Sequence, residues 1–199
     1  MILNAILGIN GADNPVLMSL LNAFVLCAAL PLIGVVIDVI TDYGFGFLMN
    51  RLFRSSNAYY VFHNYITAPG VVIHELSHLI VAIVTLCKVE KVELFKPKGN
   101  QLGGVEYRPR GNAIWACVQM TLVSCAPVVS GIIICSFMIT WLMGGVIPTL
   151  LIPLSIYLLV CVIIHMNMSG QDIKIYVRGV WVFFLVFFVY SLYVCKNYV

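Results

Sequence analysis

From Gly111 to Gln171 no residue carries a charge unless His165 is protonated. A tract of that length cannot form the surface of a water-soluble domain, where roughly a quarter of all residues are charged. In a bilayer it is acceptable provided the backbone satisfies its own hydrogen bonds, and that condition selects helices. Gly144-Gly145 and Pro148 divide the tract into two spans, Asn112 to Met143 and Thr149 to Met166. As a continuous helix the first would be about 48 Å long against a hydrocarbon core of about 30 Å, so it has to tilt strongly, break near Pro127 or begin along the interface. The whole chain has the same character: 62% of its residues are hydrophobic and 10% charged, with a mean hydropathy of +1.03. Four or five spans of about 20 residues use up most of the sequence. Residues 1–199 therefore read as one membrane-embedded domain.

The remaining segments follow from similar patterns. A first span is expected from about Pro15 to Ile40, with a kink at Pro31. Met1 to Asn14 contains no Lys or Arg, so it lacks the basic region of a cleavable signal peptide and the first span is expected to stay in place. Asp42 to His63 mixes aromatics with Arg51, Arg54, Gly and Asn, as a connection lying at the interface would, in part as a short amphipathic helix. A second span starts near Thr67 and Pro69, a cap with Pro in the first turn, and ends at Lys88. Lys88 to Arg110 is the only long polar stretch. Its β-forming run Val89–Phe95 and the run Gly103–Arg108 predict an antiparallel hairpin that turns in the Lys98-Gly99-Asn100 region. A last apolar helix is expected from about Gly179 to Cys195.

Charge placement orients these spans. The hairpin segment 88–111 holds Lys88, Lys91, Lys96, Lys98, Arg108 and Arg110, and the 167–178 segment adds Lys174 and Arg178; the opposite side has Arg51, Arg54 and Lys196. An excess of eight to three predicts that the hairpin and the Asp172 loop face the cytoplasm. A net charge of +3 is too small to imply a nucleic-acid partner. The seven cysteines include no CxxC pair and read as small packing residues.

Chemistry enters with His74-Glu75-Leu76-Ser77-His78, an HExxH pattern inside the apolar stretch Val71–Cys87. Residues four apart share a helix face, so the two imidazoles can grip one metal ion while Glu75 handles a proton. Ionisable side chains at membrane depth are costly, roughly 2.5 to 3.5 kcal/mol for an acidic residue at a helix centre, and by default they mark function. Catalytic zinc (Zn2+) takes three protein ligands and leaves a position for water. Of the eight acidic residues, Asp13, Asp42, Glu90, Glu93 and Glu106 lie in polar segments, and Glu75 is the base. Asp172 is the leading third ligand, with His165 and Asp38 in reserve. Each has an alternative reading: Ser169-x-x-Asp172 is also a capping box, His165 can pack at the interface, and Asp38 can sit at a helix end. Asn167 can support a ligand or form the loop, and Gly103-Gly104 reads first as a turn or bulge.

The segment Pro69-Gly-Val-Val-Ile-His-Glu-Leu-Ser-His-Leu-Ile80 resembles the site-2 proteases, intramembrane zinc metallopeptidases with HExxH in one membrane helix, a small β-structured segment after it and a downstream Asn-Pro-x-Pro-Asp-Gly-like motif. The likeness covers roughly Pro69 to Asp172. It implies His74 and His78 as zinc ligands, Glu75 as the catalytic carboxylate and Asp172 as the third ligand. In the downstream segment neither proline is present, Asn167 precedes Asp172 by five residues instead of four, and Ile173 replaces the glycine.

These readings combine into an all-α polytopic membrane protein with about four to five transmembrane helices and a small surface β-hairpin after the HExxH helix. Its expected partners are the lipid bilayer and a membrane protein substrate. Because His78 lies about 15 Å below the surface marked by Lys88, Asp172 reaches it only if Asn167 to Asp172 dips inward as non-helical chain lining a polar cavity. A substrate helix must unwind before attack, and the hairpin edge at Val89–Phe95 or Gly104–Tyr107 can then receive it as an added strand. The alternative is a protease-like subunit without activity that binds a partner in a larger complex, against which the intact Glu75 weighs. A transporter is a third reading, and no paired broken helices support it.

Overall fold

A computed structural model of the chain describes residues 15–54, 58–96 and 102–198. The N-terminal segment Met1–Asn14, with Asp13, and the expected turn at Lys98-Gly99-Asn100 lie outside the described residues, as do the side chains of Asp42 and Lys196.

The chain is mostly helical. Helix α1 (Pro15–Val39) does not stop at Ile40 but continues through a π-helical stretch (Ile40–Phe45) into α2 (Gly46–Leu52), one run of 38 residues. The expected connection from Asp42 thus begins as helix. Polar side chains near Ile40 serve the helix instead of ending it: the Thr41 hydroxyl donates to the Ile37 and Asp38 carbonyls at 2.9 and 3.1 Å. After α3 (Ala58–Val61) a second π-helical stretch (Phe62–Ile66) meets α4 (Ala68–Val84), the HExxH helix, at an angle of 51°. Strands β1 (Lys88–Glu93) and β2 (Gly104–Arg108) pair antiparallel, Val89 opposite Tyr107 and Lys91 opposite Glu106, with a bulge between Val89 and Lys91.

Helix α5 (Ala113–Met143) is capped by the Asn112 side chain, which accepts from the Trp115 backbone N–H. It runs unbroken through Pro127, so of the three expected ways to fit its length the break is ruled out. A single 3-10 turn (Thr149–Leu151) leads into α6 (Ile152–His165), followed by α7 (Gly170–Gly179) and α8 (Trp181–Tyr198). Helices α6 and α7 meet at 60° across four non-helical residues, Met166–Ser169. The 167–178 segment, expected as a loop, is therefore largely helix. Helix α4 packs on α5 and α6, α5 on α7, and α1 on α8.

Apolar side chains face outward in this bundle. On α4, Leu76, Ile80 and Ile83 are 39%, 51% and 57% exposed, while Glu75, Ser77 and His78 on other faces are buried. The same inversion recurs in α5, where Gln119 is fully buried and Phe137 and Trp141 are exposed. Polar groups inside and apolar groups outside suit a helix bundle in lipid. Among the described residues two helices, Pro15–Leu52 and Ala113–Met143, are long and apolar enough to cross a membrane, or up to four if each bent pair is one span. The expected four to five spans meet this range at four, and the fifth candidate, Trp181–Cys195, is a shorter apolar helix.

Candidate metal centre

One turn of helix α4 separates His74 from His78 and puts both imidazoles on its inner face, their ring centroids 4.9 Å apart. The Nδ1 of His78 lies 2.7 Å from the Val123 carbonyl of α5. That carbonyl is available because Pro127, four residues on, has no N–H to give it. The Nδ1 of His74 lies 2.7 Å from the His165 carbonyl. Helix α6 ends at His165, so this carbonyl too has no helical N–H partner. A carbonyl only accepts, so each imidazole donates from Nδ1, and a neutral ring held this way presents the lone pair of Nε2 to the centre. The two Nε2 atoms stand 3.2 Å apart. Two facing lone pairs repel one another unless a cation sits between them. Nitrogens held about 2.0–2.1 Å from one tetrahedral zinc are separated by roughly 3.3 Å, which matches this spacing.

Asp172 completes the group. Its Oδ1 is 3.4 Å from His78 Nε2 and its Oδ2 is 3.9 Å from His74 Nε2. Among the described residues, His74, His78 and Asp172 form a group whose ligand atoms all lie within 4.8 Å of one another and could hold a metal ion. The capping box is present as well. Asp172 Oδ2 accepts from the Ser169 backbone N–H at 2.9 Å and from its hydroxyl at 2.6 Å, and the Asp172 N–H donates back to Ser169 Oγ at 3.2 Å. Cap and ligand are thus compatible roles of one carboxylate, with Oδ1 turned toward His78. The inward dip of the chain is confined to Met166–Ser169, and Asp172 itself lies in the first turn of α7.

Neither reserve joins the group. The His165 Nε2 bonds to Thr67 Oγ1 at 2.9 Å, and its ring lies 4.6 Å from that of His63. Asp38, expected at the interface, accepts from Asn167 Nδ2 at 2.5 Å across 129 residues of sequence. Asn167 belongs to the Met166–Ser169 turn between α6 and α7 and borders the cavity.

A cavity of about 730 Å³ opens over the centre, bordered below by His74, Glu75, His78 and Asp172 and above by the hairpin. Leu102 to Tyr107, six consecutive residues ending in β2, line its upper wall. Gly103 sits directly on Glu75: a Cβ there would stand 2.8 Å from Glu75 Cγ and 2.8 Å from the Glu93 carbonyl. Only glycine lets the chain cross Glu75 so closely. At the rim, Lys91 Nζ reaches Glu93 at 3.2 Å and Glu106 at 3.6 Å. Lys96 and then Lys91 hold the Glu93 carboxyl below the usual carboxylate range. Gln119 ties the hairpin base to the bundle, accepting from the Arg110 N–H at 2.8 Å and donating to the Thr85 carbonyl at 2.6 Å.

Sequence reasoning missed the two carbonyls that orient the imidazoles and the Asp38–Asn167 pair. Pro127 was the readable signal for the first, since a proline in a span always frees the carbonyl four residues back. Compared with known proteins, the chain matches no family model, no curated protein and no solved structure.

Proposed function

We propose that this chain is an intramembrane zinc metalloprotease of the site-2 protease type, with His74, His78 and Asp172 as ligands and Glu75 as the catalytic carboxylate. The observation that carries the reading is the convergence of His74 Nε2, His78 Nε2 and the Asp172 carboxylate on the floor of a cavity that Glu75 also borders. Two neutral imidazoles and a carboxylate suit zinc and leave a fourth position open. When bound, zinc supplies Lewis acidity toward water and the scissile carbonyl.

The chain's own residues supply the rest. Val123 and His165 hold the imidazoles by their Nδ1 protons, as metal-binding histidines are commonly held. Glu75 takes a proton from the attacking water and delivers it to the departing amine. Among the described residues the sheet has two strands, so each keeps one edge unpaired, and β2 borders the cavity with four consecutive residues, Gly104 to Tyr107, where β1 contributes Lys91 and Glu93. That favours the Gly104–Tyr107 edge over β1 as the place where an unwound segment of a membrane-spanning substrate is added as a strand. The basic hairpin and Asp172 segment, which share this cavity, face the cytoplasm in this reading.

The test is reconstitution of the purified chain in liposomes with single-span membrane proteins. Cleavage within or beside the span, stopped by a zinc chelator and restored by zinc, is the expected result. A chain that binds such a protein at one site without ever cutting it is instead an inactive protease-like subunit of a larger complex.

A further inference from the structure

We infer that Asp38 of the first helix is a positioning residue for the metal centre, acting through Asn167 on the turn that carries the groups orienting two ligands. The inference rests on the zinc-centre reading above and extends it to α1.

The turn Met166–Ser169 is attached to the centre at both ends. Just before it, the His165 carbonyl accepts from His74 Nδ1; at its other end, Ser169 and Asp172 form the capping box that aims the Asp172 carboxylate. A shift of these residues therefore moves two of three ligands together. In its middle, Asn167 donates to Asp38 Oδ1 at 2.5 Å.

Helix α1 grips the turn at a second point, one helical turn earlier on the same face. A Cβ at Gly34 would stand 3.1 Å from the Met168 backbone nitrogen and 3.7 Å from the Asn167 Cα, so the helix and the turn meet backbone to backbone. The Met168 side chain is buried with Cys125, Val128 and Tyr176, against Leu30 of α1. The π-helical stretch starts two residues after Asp38. Such stretches are frequent at functional sites. An acidic side chain in an otherwise apolar span is expensive and calls for a use; here its hydrogen-bond partner belongs to the turn between α6 and α7.

Zinc affinity of the full-length purified chain, measured by competition with a chelator, tests the inference. Asp38→Leu should weaken zinc binding about ten- to a hundredfold, the range for partners that orient metal ligands. Asp38→Asn, whose amide oxygen still accepts from Asn167, should stay within about threefold of wild type. Asn167→Ala should reproduce the Asp38→Leu loss, and the double variant should be no weaker than the single ones, because the two side chains form one link. Wild-type affinity in Asp38→Leu overturns the inference, as does additivity in the double variant. A lower unfolding temperature of the metal-free chain without a change in zinc affinity marks a merely structural role and overturns it too. If Asp38→Leu fails to fold, Asn167→Ala decides alone: wild-type affinity there is fatal. Zinc bound by wild type but not by His74→Ala keeps the centre standing whatever Asp38 does, and a wild type that binds none removes both.

Discussion

The Nδ1 of His78 lies 2.7 Å from the carbonyl of Val123, and Val123 is the residue whose helical partner Pro127 has removed. A proline in a span thus acts here as a device for presenting an acceptor. Beside it, the Ser77 hydroxyl meets the Ser130 hydroxyl at 2.6 Å, and Ser130 also donates to the Pro127 carbonyl at 3.2 Å. Helices α4 and α5 are registered against each other at this point.

Pro127→Ala should therefore weaken zinc while leaving the helix intact. The restored N–H competes with His78 for the Val123 carbonyl, and loss of an orienting partner typically lowers metal affinity about tenfold or more. Chelator competition together with circular dichroism checks this. Unchanged affinity would show that the carbonyl serves both donors through its two lone pairs.

Asp172→Asn separates the cap from the ligand. The Ser169 N-cap is untouched and the Asn amide oxygen at N3 can still accept from the Ser169 N–H, so α7 should persist, yet the uncharged amide is a poor zinc ligand and occupancy should fall. Zinc retained at the wild-type level in this variant would leave Asp172 as a cap only.

How much of this was legible in the sequence depends on what kind of pattern encodes it. HExxH announces itself by spacing, and the hairpin by its β-forming runs in the one polar stretch. Asp172 was reached by counting acids. The continuation of α1 past Ile40, the unbroken run of α5 through Pro127 and the Asp38–Asn167 pair were not legible. In a membrane bundle the lipid-facing side of a helix is at least as apolar as its packed side, so hydrophobic periodicity does not report which face is inside as it does in water, and contacts between distant helices leave little local trace. Capping and ligation at Asp172 looked like rivals because one residue type at one position was assigned one task. The two oxygens of the carboxylate divide them.

Gly103→Ala should keep zinc and lose most cleavage. The added methyl meets Glu75 Cγ and the Glu93 carbonyl at 2.8 Å each, so the chain before β2 must lift off Glu75, and misplacement by about 1 Å can cost on the order of a hundredfold in rate. Zinc analysis beside single-turnover cleavage reads the two effects separately. Full activity would mean that the hairpin does not position substrate.

Tyr107 packs beside Ala82, Cys87 and Val123, and its buried hydroxyl has the Ser124 hydroxyl as its neighbour without well-formed hydrogen-bond geometry for either. Tyr107→Phe should then be neutral or stabilising by up to about 1 kcal/mol, since an unsatisfied buried group is removed. Burial pushes the Tyr107 phenol up to about 12. With its folded value raised above that of the unfolded chain, about 10, its contribution is fully present below about pH 10 and is lost as pH rises toward about 12. Loosening of the hairpin over that window, followed by hydrogen exchange of the strand amides, should occur in wild type and be reduced in Tyr107→Phe. A marked loss of stability in the variant at neutral pH would contradict the assignment.

Zinc content and cleavage measured side by side in wild type and Glu75→Gln separate metal binding from proton transfer. Glu75 is assigned to proton transfer and not to the metal, and an amide cannot take the water's proton at neutral pH. About one zinc per chain is expected in both proteins, with cleavage of a membrane-spanning substrate by wild type alone. Wild type without zinc, or Glu75→Gln cutting as fast as wild type, would contradict the zinc protease reading.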